Sequence, residues 1–478
     1  MVTHTRTRPG APAGWRYWAT LPVILTGAFM ITLDFFIVNV AIPSMQEDLH
    51  LGPTSVELVV AGYGLAAAAG LITGGRLGDI YGRRRVFAIG LAGFVLASLV
   101  CGLAPNAATL VAGRIGQGLA SALLAPQELA ILGLVYTGAD RARAFNAVGL
   151  VLGLAGVFGQ LIGGLLIQAD PLGLGWRMCF LVNIPVGLAA LALVPALVPE
   201  SRAAGRPTLD LPGATLVTLG LVAVLLPLTE GRQQGWPGWS WLCLASALPV
   251  LAAFVAHQRR RAARGGSPLV DLTLFRLRSF SLGVAAVVAF HSALASFFLV
   301  LALYLQFGRG LDALGSGWVF VAVGVGFVAA SAAGPQLVDR LGRRALVIGA
   351  SVLAAGWVLL GIAVAATGTT GGVGTLTPAL VVVGVGIGLV MAPLASFTLA
   401  GVSSQYAGAA SGLLSTATQV GNALGIALIG VVFYGALGHD AVPADFPRAL
   451  GLSVVYLLAL TLVVTALVRL LPRSAAPG

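Results

Sequence analysis

Fourteen apolar runs of roughly 20 residues divide the chain, and they constrain its fold more than any other feature. A helix of about 20 residues is long enough to cross the hydrocarbon core of a bilayer. The runs cover residues 17–42, 56–75, 86–104, 108–134, 145–167, 177–198, 211–229, 239–257, 280–305, 313–336, 345–366, 376–399, 408–435 and 450–470. Because backbone groups find no water inside a bilayer, each run is expected to be helical. The sequence predicts an all-α integral membrane protein.

The composition excludes a soluble enzyme and a nucleic-acid-binding domain. Hydrophobic residues make up 58% of the chain and charged residues 9%, so a water-soluble domain could not bury its apolar surface. The net charge of +11 comes from arginines in short loops, so we expect no nucleic-acid partner. The sequence lacks a Walker loop, a zinc-protease motif and a serine-hydrolase elbow, and we expect no enzyme activity, cofactor or metal. Gly384, Gly386 and Gly388 lie inside an apolar run, which favours helix packing over nucleotide binding.

The arginines indicate which side of the membrane holds the termini. An even number of spans places both termini on one side, and 22 of the 27 arginines lie there if the N-terminus is cytoplasmic. By the positive-inside rule, the sequence predicts cytoplasmic termini. The first run is expected to be a retained helix rather than a signal peptide, because it contains Asp34 and is followed by Pro43.

A short charged sequence between two apolar runs occurs twice. The pattern Asp-x-x-Gly-Arg-Arg begins at Asp79 and recurs 260 positions later at Asp339. Such a repeat indicates an internal duplication, and it predicts a 6+2+6 arrangement of helices. The predicted parts are an N-terminal tail (1–16), a six-helix bundle (17–198), a linker with two inserted helices (199–279), a second six-helix bundle (280–470) and a C-terminal tail (471–478).

Several stretches resemble the major facilitator superfamily of secondary transporters. The duplicated loop is similar to the family's helix 2 to helix 3 loop. Residues 33–43, 110–118 and 176–187 resemble the helix 1, helix 4 and helix 6 sequences of its fourteen-helix drug:proton antiporter branch. Two positions depart from that branch. Gln160 stands where the helix 5 antiporter motif has a proline that bends the helix, and Phe36 stands where a small hydroxyl residue is common.

The resemblance implies the major facilitator fold and a proton-coupled exporter of small amphipathic drugs or antibiotics, which works by alternating access. It implies that a proton gradient supplies the energy and that the protein lies in the bacterial cell (plasma) membrane. We expect a monomer whose partners are lipid, protons and a small-molecule substrate. Two alternatives stay open: a dedicated transporter of one endogenous metabolite, and a membrane sensor that does not transport.

Asp34 and Arg114 are the candidate proton-coupling residues. An ionised residue near the bilayer centre costs about 2.5–3.5 kcal/mol, so its presence inside a span points to a function and a partner. Both residues lie roughly 9–12 Å below the outer surface, and the resemblance places their helices side by side. A carboxylate whose proton affinity depends on the distance to an arginine is a simple proton switch. A purely structural ion pair is the alternative.

Other polar residues on helices expected to line or flank the substrate cavity are candidates for it: Glu128, Gln160, His291, Tyr304, Gln306, Gln419 and Asn422. Glu128 is expected near the cytoplasmic mouth of helix 4, where a surface acid that reaches into water is the preferred interpretation. A lone histidine such as His291 is more often bonded to a neighbouring helix than coupled to protons. The second half has no acid at mid-helix, which favours neutral, monocationic or amphipathic cargo over dicationic cargo.

The two charged loops are candidates for a gate, which would consist of Gly75, Asp79, Gly82, Arg83, Arg84, Asp339, Gly342, Arg343 and Arg344. Charge pairs across helix ends would break when the halves move apart. Each such pair contributes only about 0–1 kcal/mol, yet a network that forms in one state biases a two-state equilibrium. The alternative is that these arginines only anchor the loops on the cytoplasmic side.

Overall fold

The computed structural model describes residues 15–202, 210–266, 268–402, 407–438 and 441–471. Within these ranges all regular structure is helical. Most of the two predicted tails and part of the predicted linker, residues 203–209, lie outside the described residues.

Fourteen long helices make up the described part of the chain. They are α1 (Trp15–Leu49), α2 (Pro53–Tyr81), α3 (Arg83–Gly102), α4 (Ala107–Val135), α5 (Gly138–Ala169), α6 (Gly175–Leu197), α7 (Leu211–Gln233), α8 (Gly238–Ala263), α9 (Arg278–Leu303), α10 (Ala313–Leu341), α11 (Arg343–Thr367), α12 (Thr377–Leu399), α13 (Ala407–Leu437) and α14 (Phe446–Leu470). Twelve are long and apolar enough to cross a membrane, and the bent helices α2 and α5 bring the number to fourteen. The predicted all-α membrane fold is confirmed.

The helices pack in two groups with the same internal pattern. In the first, α2 packs on α4 and α1 on α5, and in the second, α10 packs on α12 and α9 on α13. The groups meet along α5 and α10 and along α2 and α13. This repeated arrangement is what a duplication of one six-helix unit would produce.

Glycines let backbones approach where helices cross. A Cβ atom added to Gly384 of α12 would lie 2.8 Å from the carbonyl carbon of Val323 in α10, and one added to Gly386 would lie 2.6 Å from Leu353 Cα in α11. Each glycine therefore faces a backbone that a larger residue would displace. The prediction that this glycine run serves helix packing is confirmed.

The inserted helices α7 and α8 pack against each other at the periphery. α7 lies against α2 and also reaches α13, where Leu225 packs with Ala423 and Ala427. The pair therefore contacts both groups of helices on one side of the molecule.

A buried carboxylate joins the inserted pair to its connectors. Asp210 is fully buried before α7, where it accepts hydrogen bonds from Gln258 Nε2 (2.8 Å) and the Gly213 amide (3.1 Å), with His257 Nε2 at 2.8 Å. Gln258 Oε1 accepts a hydrogen bond from the Leu269 amide at 2.7 Å, so the same cluster holds the chain that leads to α9. Burial by itself would raise the pKa of the Asp210 carboxyl, but these hydrogen bonds hold that pKa below its ordinary value.

Replacing Asp210 by alanine is expected to destabilise the protein at pH 7 by about 1–3 kcal/mol, because hydrogen bonds to a charged group are lost. The folded-state pKa lies below the unfolded one. The contribution of Asp210 is therefore complete above the unfolded pKa of about 3.9 and is lost as the pH falls through the folded value. Thermal unfolding in detergent measures this loss. The difference in melting temperature between wild type and Asp210→Ala should be largest at pH 7 and should become smaller below about pH 4. An equal difference at both pH values would contradict this assignment.

Candidate functional site

Asp34 and Arg114 form an ion pair in the interior of the first helix group. Arg114 NH1 donates a hydrogen bond to Asp34 Oδ2, and neither side chain is exposed. Arg114 Nε donates to the Val59 carbonyl oxygen of α2 at 2.8 Å, which fixes the guanidinium between α1, α2 and α4. The two predicted coupling residues are thus in direct contact.

Two uncharged side chains complete the contacts of the carboxylate. Gln117 Nε2 and Asn183 Nδ2 each donate to Asp34 Oδ1 at 2.8 Å. Gln117 Oε1 accepts a hydrogen bond from Arg114 NH1 at 2.9 Å, and Gln117 Nε2 also donates to Ser98 Oγ at 2.9 Å. The carboxylate therefore accepts hydrogen bonds from donors on α4 and α6, and Ser98 of α3 accepts a hydrogen bond from Gln117. Gln117 and Asn183 lie in the stretches that carry the family resemblance, but the sequence assigned them no role.

Tyr63 of α2 separates the ion pair from the space between the two helix groups. Its ring lies under the guanidinium, with Arg114 Cζ 4.4 Å from the ring centroid, and its hydroxyl donates to the Ile31 carbonyl oxygen at 3.1 Å. Tyr63 lines the central cavity, whereas Asp34 and Arg114 do not. A shift of this one ring would change the access of the ion pair to the cavity.

The cavity lies between the two helix groups and has a volume of about 280 Å³. Its walls come from α1, α2, α4, α5, α9, α10, α12 and α13, and none of the described side chains of the inserted pair lines it. Most of the lining is apolar or aromatic, including Phe35, Phe145 and Phe327. Residues 387–399 of α12 and 411–422 of α13 line it near the helix ends that point to the same side as the α2–α3 and α10–α11 loops. That side is called the arginine-rich side below.

Close packing of side chains closes the cavity on the side opposite the arginine-rich side. The Phe36 ring of α1 lies 4.7 Å from that of Phe298 in α9, and Phe298 stacks on Phe320 of α10 at 5.5 Å. Beyond these rings, a Cβ atom on Gly164 of α5 would lie 2.7 Å from Leu314 Cα of α10. The cavity therefore reaches toward the arginine-rich side. Phe36, which departs from the family pattern, forms part of the barrier.

Four of the seven cavity candidates line this space: Glu128, His291, Gln419 and Asn422. Glu128 does not extend to the surface. Its side chain is only 5% exposed and stands in the cavity wall, so the preferred interpretation of it as a surface acid is wrong. Its Oε1 atom lies against Gly27 of α1, on the inner side of the helix group.

The other three cavity candidates lie elsewhere, and their assignment is corrected here. Gln160 Nε2 donates to the Phe36 carbonyl oxygen at 3.0 Å and so joins α5 to α1. Tyr304 and Gln306 lie in the turn after α9, on the side away from the arginine-rich loops, where the Tyr304 hydroxyl donates to the Gly368 carbonyl oxygen at 2.7 Å. Tyr304 stood near the end of the predicted span 280–305 and Gln306 just beyond it, and neither lines the cavity.

Helix α5 is bent although it lacks the antiporter-motif proline. The segments Arg143–Gly156 and Phe158–Ala169 meet at 43°. Glycines flank the break, and a Cβ atom on Gly159 would lie only 3.4 Å from the Leu33 carbonyl oxygen of α1. The bend expected from proline in the family is thus present here with Gln160 in its place.

In each of the duplicated loops a glycine with a positive φ angle joins the two helices. Gly82 and Gly342, each joining two helices, have φ angles of 108° and 53°, which other residues adopt only with strain. Arg83 pairs with Asp79 at 3.0 Å, and the Arg84 amide donates to Glu200 Oε1 at 3.1 Å.

The second loop is anchored in a similar way. Arg343 donates to the Arg469 carbonyl oxygen at 2.8 Å, which ties the start of α11 to the end of α14, and Arg344 is exposed. The side chain of Asp339 lies outside the described residues. These described pairs each stay within one helix group. A gate made of pairs between the groups therefore remains a prediction for another conformation.

Known proteins resemble this chain in sequence and fold. A family model described as Major Facilitator Superfamily matches residues 24–426. The chain is 39% identical over 443 residues to a probable actinorhodin transporter of Streptomyces coelicolor, covering 91% of this chain and 75% of that protein. It is 36% identical over 471 residues to a cephamycin export protein of Amycolatopsis lactamdurans, covering 96% and 94%. A solved peptide transporter superposes with a TM-score of 0.65 at 17% identity, covering 95% of both chains. The chain belongs to the Major Facilitator Superfamily and is a multi-pass membrane transporter, not an enzyme.

Proposed function

We propose that this transporter is a proton-coupled exporter of small amphipathic drugs or antibiotics. The observation that carries the proposal is the buried Asp34–Arg114 pair, separated by one tyrosine ring from an apolar cavity between the two helix groups. A titratable pair next to a cargo space is what coupling of a proton to cargo requires.

The cargo class rests on the relatives and on the cavity. The two relatives named above are a probable actinorhodin transporter and a cephamycin export protein, so they are named for different compounds. The cavity offers aromatic and aliphatic walls with few polar groups, a surface that favours amphipathic molecules. A narrower alternative is export of a single endogenous metabolite, since each relative is named for one compound.

Coupling would depend on the distance between Asp34 and Arg114. A nearby guanidinium favours the ionised form of a carboxylate, so movement of Arg114 away from Asp34 would favour proton uptake. In the structure the two are held together, and Gln117 and Asn183 also donate to the carboxylate. A proton arriving from outside would load Asp34, weaken its hold on Arg114, and bias the return of the emptied cavity to the inward-facing state.

Orientation and energy source complete the proposal. With 22 of 27 arginines on one side, the positive-inside rule places that side, and both termini, in the cytoplasm of a bacterial cell. The cavity would then face the cytoplasm, from which an exporter collects its cargo. A monomer would suffice, with the proton gradient as the energy source and no cofactor.

Transport in proteoliposomes tests the proposal. The full-length protein is reconstituted, a pH gradient is imposed, and movement of rhodamine 6G is followed by fluorescence. We expect flux that depends on the gradient and stops when a protonophore removes it. A resistance screen with chemically unrelated compounds separates the alternatives, because a single-metabolite exporter would protect against one compound class. The proposed function would be contradicted if none of these chemically unrelated compounds showed gradient-dependent flux in proteoliposomes.

A further inference from the structure

Glu128 of α4 is a buried acid that the proposed coupling does not use. Its side chain is 5% exposed and lines the cavity, and among the described residues its Oε1 atom has no hydrogen-bond partner. The atom faces Gly27 of α1, where an added Cβ would lie 2.7 Å away. Glycine at that position therefore leaves room for the carboxyl group.

The contrast with Asp34 makes this acid informative. Asp34 receives hydrogen bonds from Arg114, Gln117 and Asn183, so its charge is balanced within the protein. Glu128 Oε1 has no such donor, and an unpaired buried carboxylate is costly. A polar group kept in a cavity wall at this cost points to a partner that arrives with the cargo.

The two walls of the cavity differ in chemistry. Around Glu128 the lining is aromatic and aliphatic, with Phe35, Phe145 and Leu129. A cation is stabilised both by a carboxylate and by aromatic faces.

The facing wall carries hydrogen-bonding groups without a carboxylate. The polar lining residues of α13 recur at helical spacing along one face, at Ser411, Ser415, Thr418, Gln419 and Asn422. Among the described residues, two further titratable ones line the cavity. His291 of α9 lies on this wall, and Tyr63 of α2 lies on the wall that carries Glu128.

We infer that Glu128 is the cargo-recognition carboxylate and binds the basic nitrogen of an amphipathic monoamine. The inference rests on the proposed function and narrows its substrate class. The ammonium group would donate to Glu128, the apolar body would lie among the phenylalanines, and hydroxyl or carbonyl oxygens at the far end would meet the polar face of α13. One lining carboxylate in the described cavity suits a single positive charge. Glu128 thus serves cargo recognition, and Asp34 serves the proton.

A matched pair of probes isolates the nitrogen. One is a dansyl sulfonamide with a 3-dimethylaminopropyl arm, and the other has a 4-methylpentyl arm of the same shape without the amine. Binding to the full-length protein in detergent is measured by dansyl fluorescence at pH 7. We expect wild type to bind the amine at least about tenfold more tightly, which corresponds to about 1.4 kcal/mol. In Glu128→Gln that preference should disappear while the neutral probe binds as before. Glu128→Asp should keep part of it.

The control is Glu47→Gln, which removes one acid from the exposed end of α1 and should keep the full amine preference. Equal binding of both probes by wild type would overturn the inference and leave the proposed export function standing. Binding of neither probe would count against both. Gradient-driven flux of the neutral probe distinguishes cargo recognition by Glu128 from proton coupling by Glu128. If Glu128→Gln abolishes that flux, Glu128 carries the coupled proton and the recognition role is wrong.

Discussion

Asp34→Asn is expected to abolish transport driven by a pH gradient while cargo binding persists. Asparagine has nearly the same shape as aspartate but cannot exchange a proton near neutral pH. Asp34 lies behind the Tyr63 ring and does not line the cavity, so the cargo surface should be preserved. Gradient-driven flux in proteoliposomes should fall to the level of empty vesicles, whereas binding of the same probe in detergent should change by less than about threefold, or roughly 0.65 kcal/mol.

The matched control for this substitution is Asp170→Asn. Asp170 is exposed after α5 with a φ angle of 36°, a conformation that asparagine tolerates, and an asparagine oxygen can replace the carboxylate oxygen that accepts from the Gly175 amide. Its flux should equal that of wild type. Full gradient-driven flux in Asp34→Asn would remove Asp34 from the coupling step.

Arg114→Met should produce the largest loss of stability, about 3–5 kcal/mol, because it leaves the Asp34 carboxylate buried without its cation. Arg114 is fully buried and also donates to the Val59 carbonyl oxygen, so truncation removes a second buried hydrogen bond. Thermal unfolding of the purified protein in detergent measures the loss. Adding Asp34→Asn should recover part of it, since the second substitution removes the uncompensated charge.

The double variant distinguishes a charge effect from a packing effect. If the pair interacts as the geometry indicates, the two substitutions together should cost less than their sum, with a coupling of at least about 1 kcal/mol. Strictly additive losses would mean that the ion pair has no role in stability. In either case the double variant should not transport against a gradient, because it lacks the titratable group.

Much of this arrangement is predictable from the sequence. Long apolar runs predict the helices, because a bilayer leaves the backbone few alternatives. Asp34 and Arg114 could be paired because their depths, counted at about 1.5 Å per residue from the ends of their spans, are similar. The repeat at Asp79 and Asp339 predicted two equivalent halves, and the packing of α2 on α4 has its counterpart in α10 on α12.

The partners of the ion pair could not be predicted in this way. Asn183 is 149 positions from Asp34, and which face of α6 meets α1 depends on the packing of all six helices. Glu128 was misplaced for a related reason. Its depth along α4 was known, but its direction around the helix axis was not. The α5 bend, which lies between Gly156 and Phe158, also escapes a rule based on proline, because glycines flank the break.

Proton release on cargo binding tests the central claim most directly, namely that cargo binding in the cavity changes the proton occupancy of Asp34. The neutral 4-methylpentyl probe, which brings no ammonium group to Glu128, is added to lightly buffered, detergent-solubilised protein near neutral pH, and the pH change is recorded for wild type and for Asp34→Asn. The account predicts release of roughly one proton per bound cargo in wild type and none in Asp34→Asn. Equal release from both proteins would contradict it, because the proton would then come from another group.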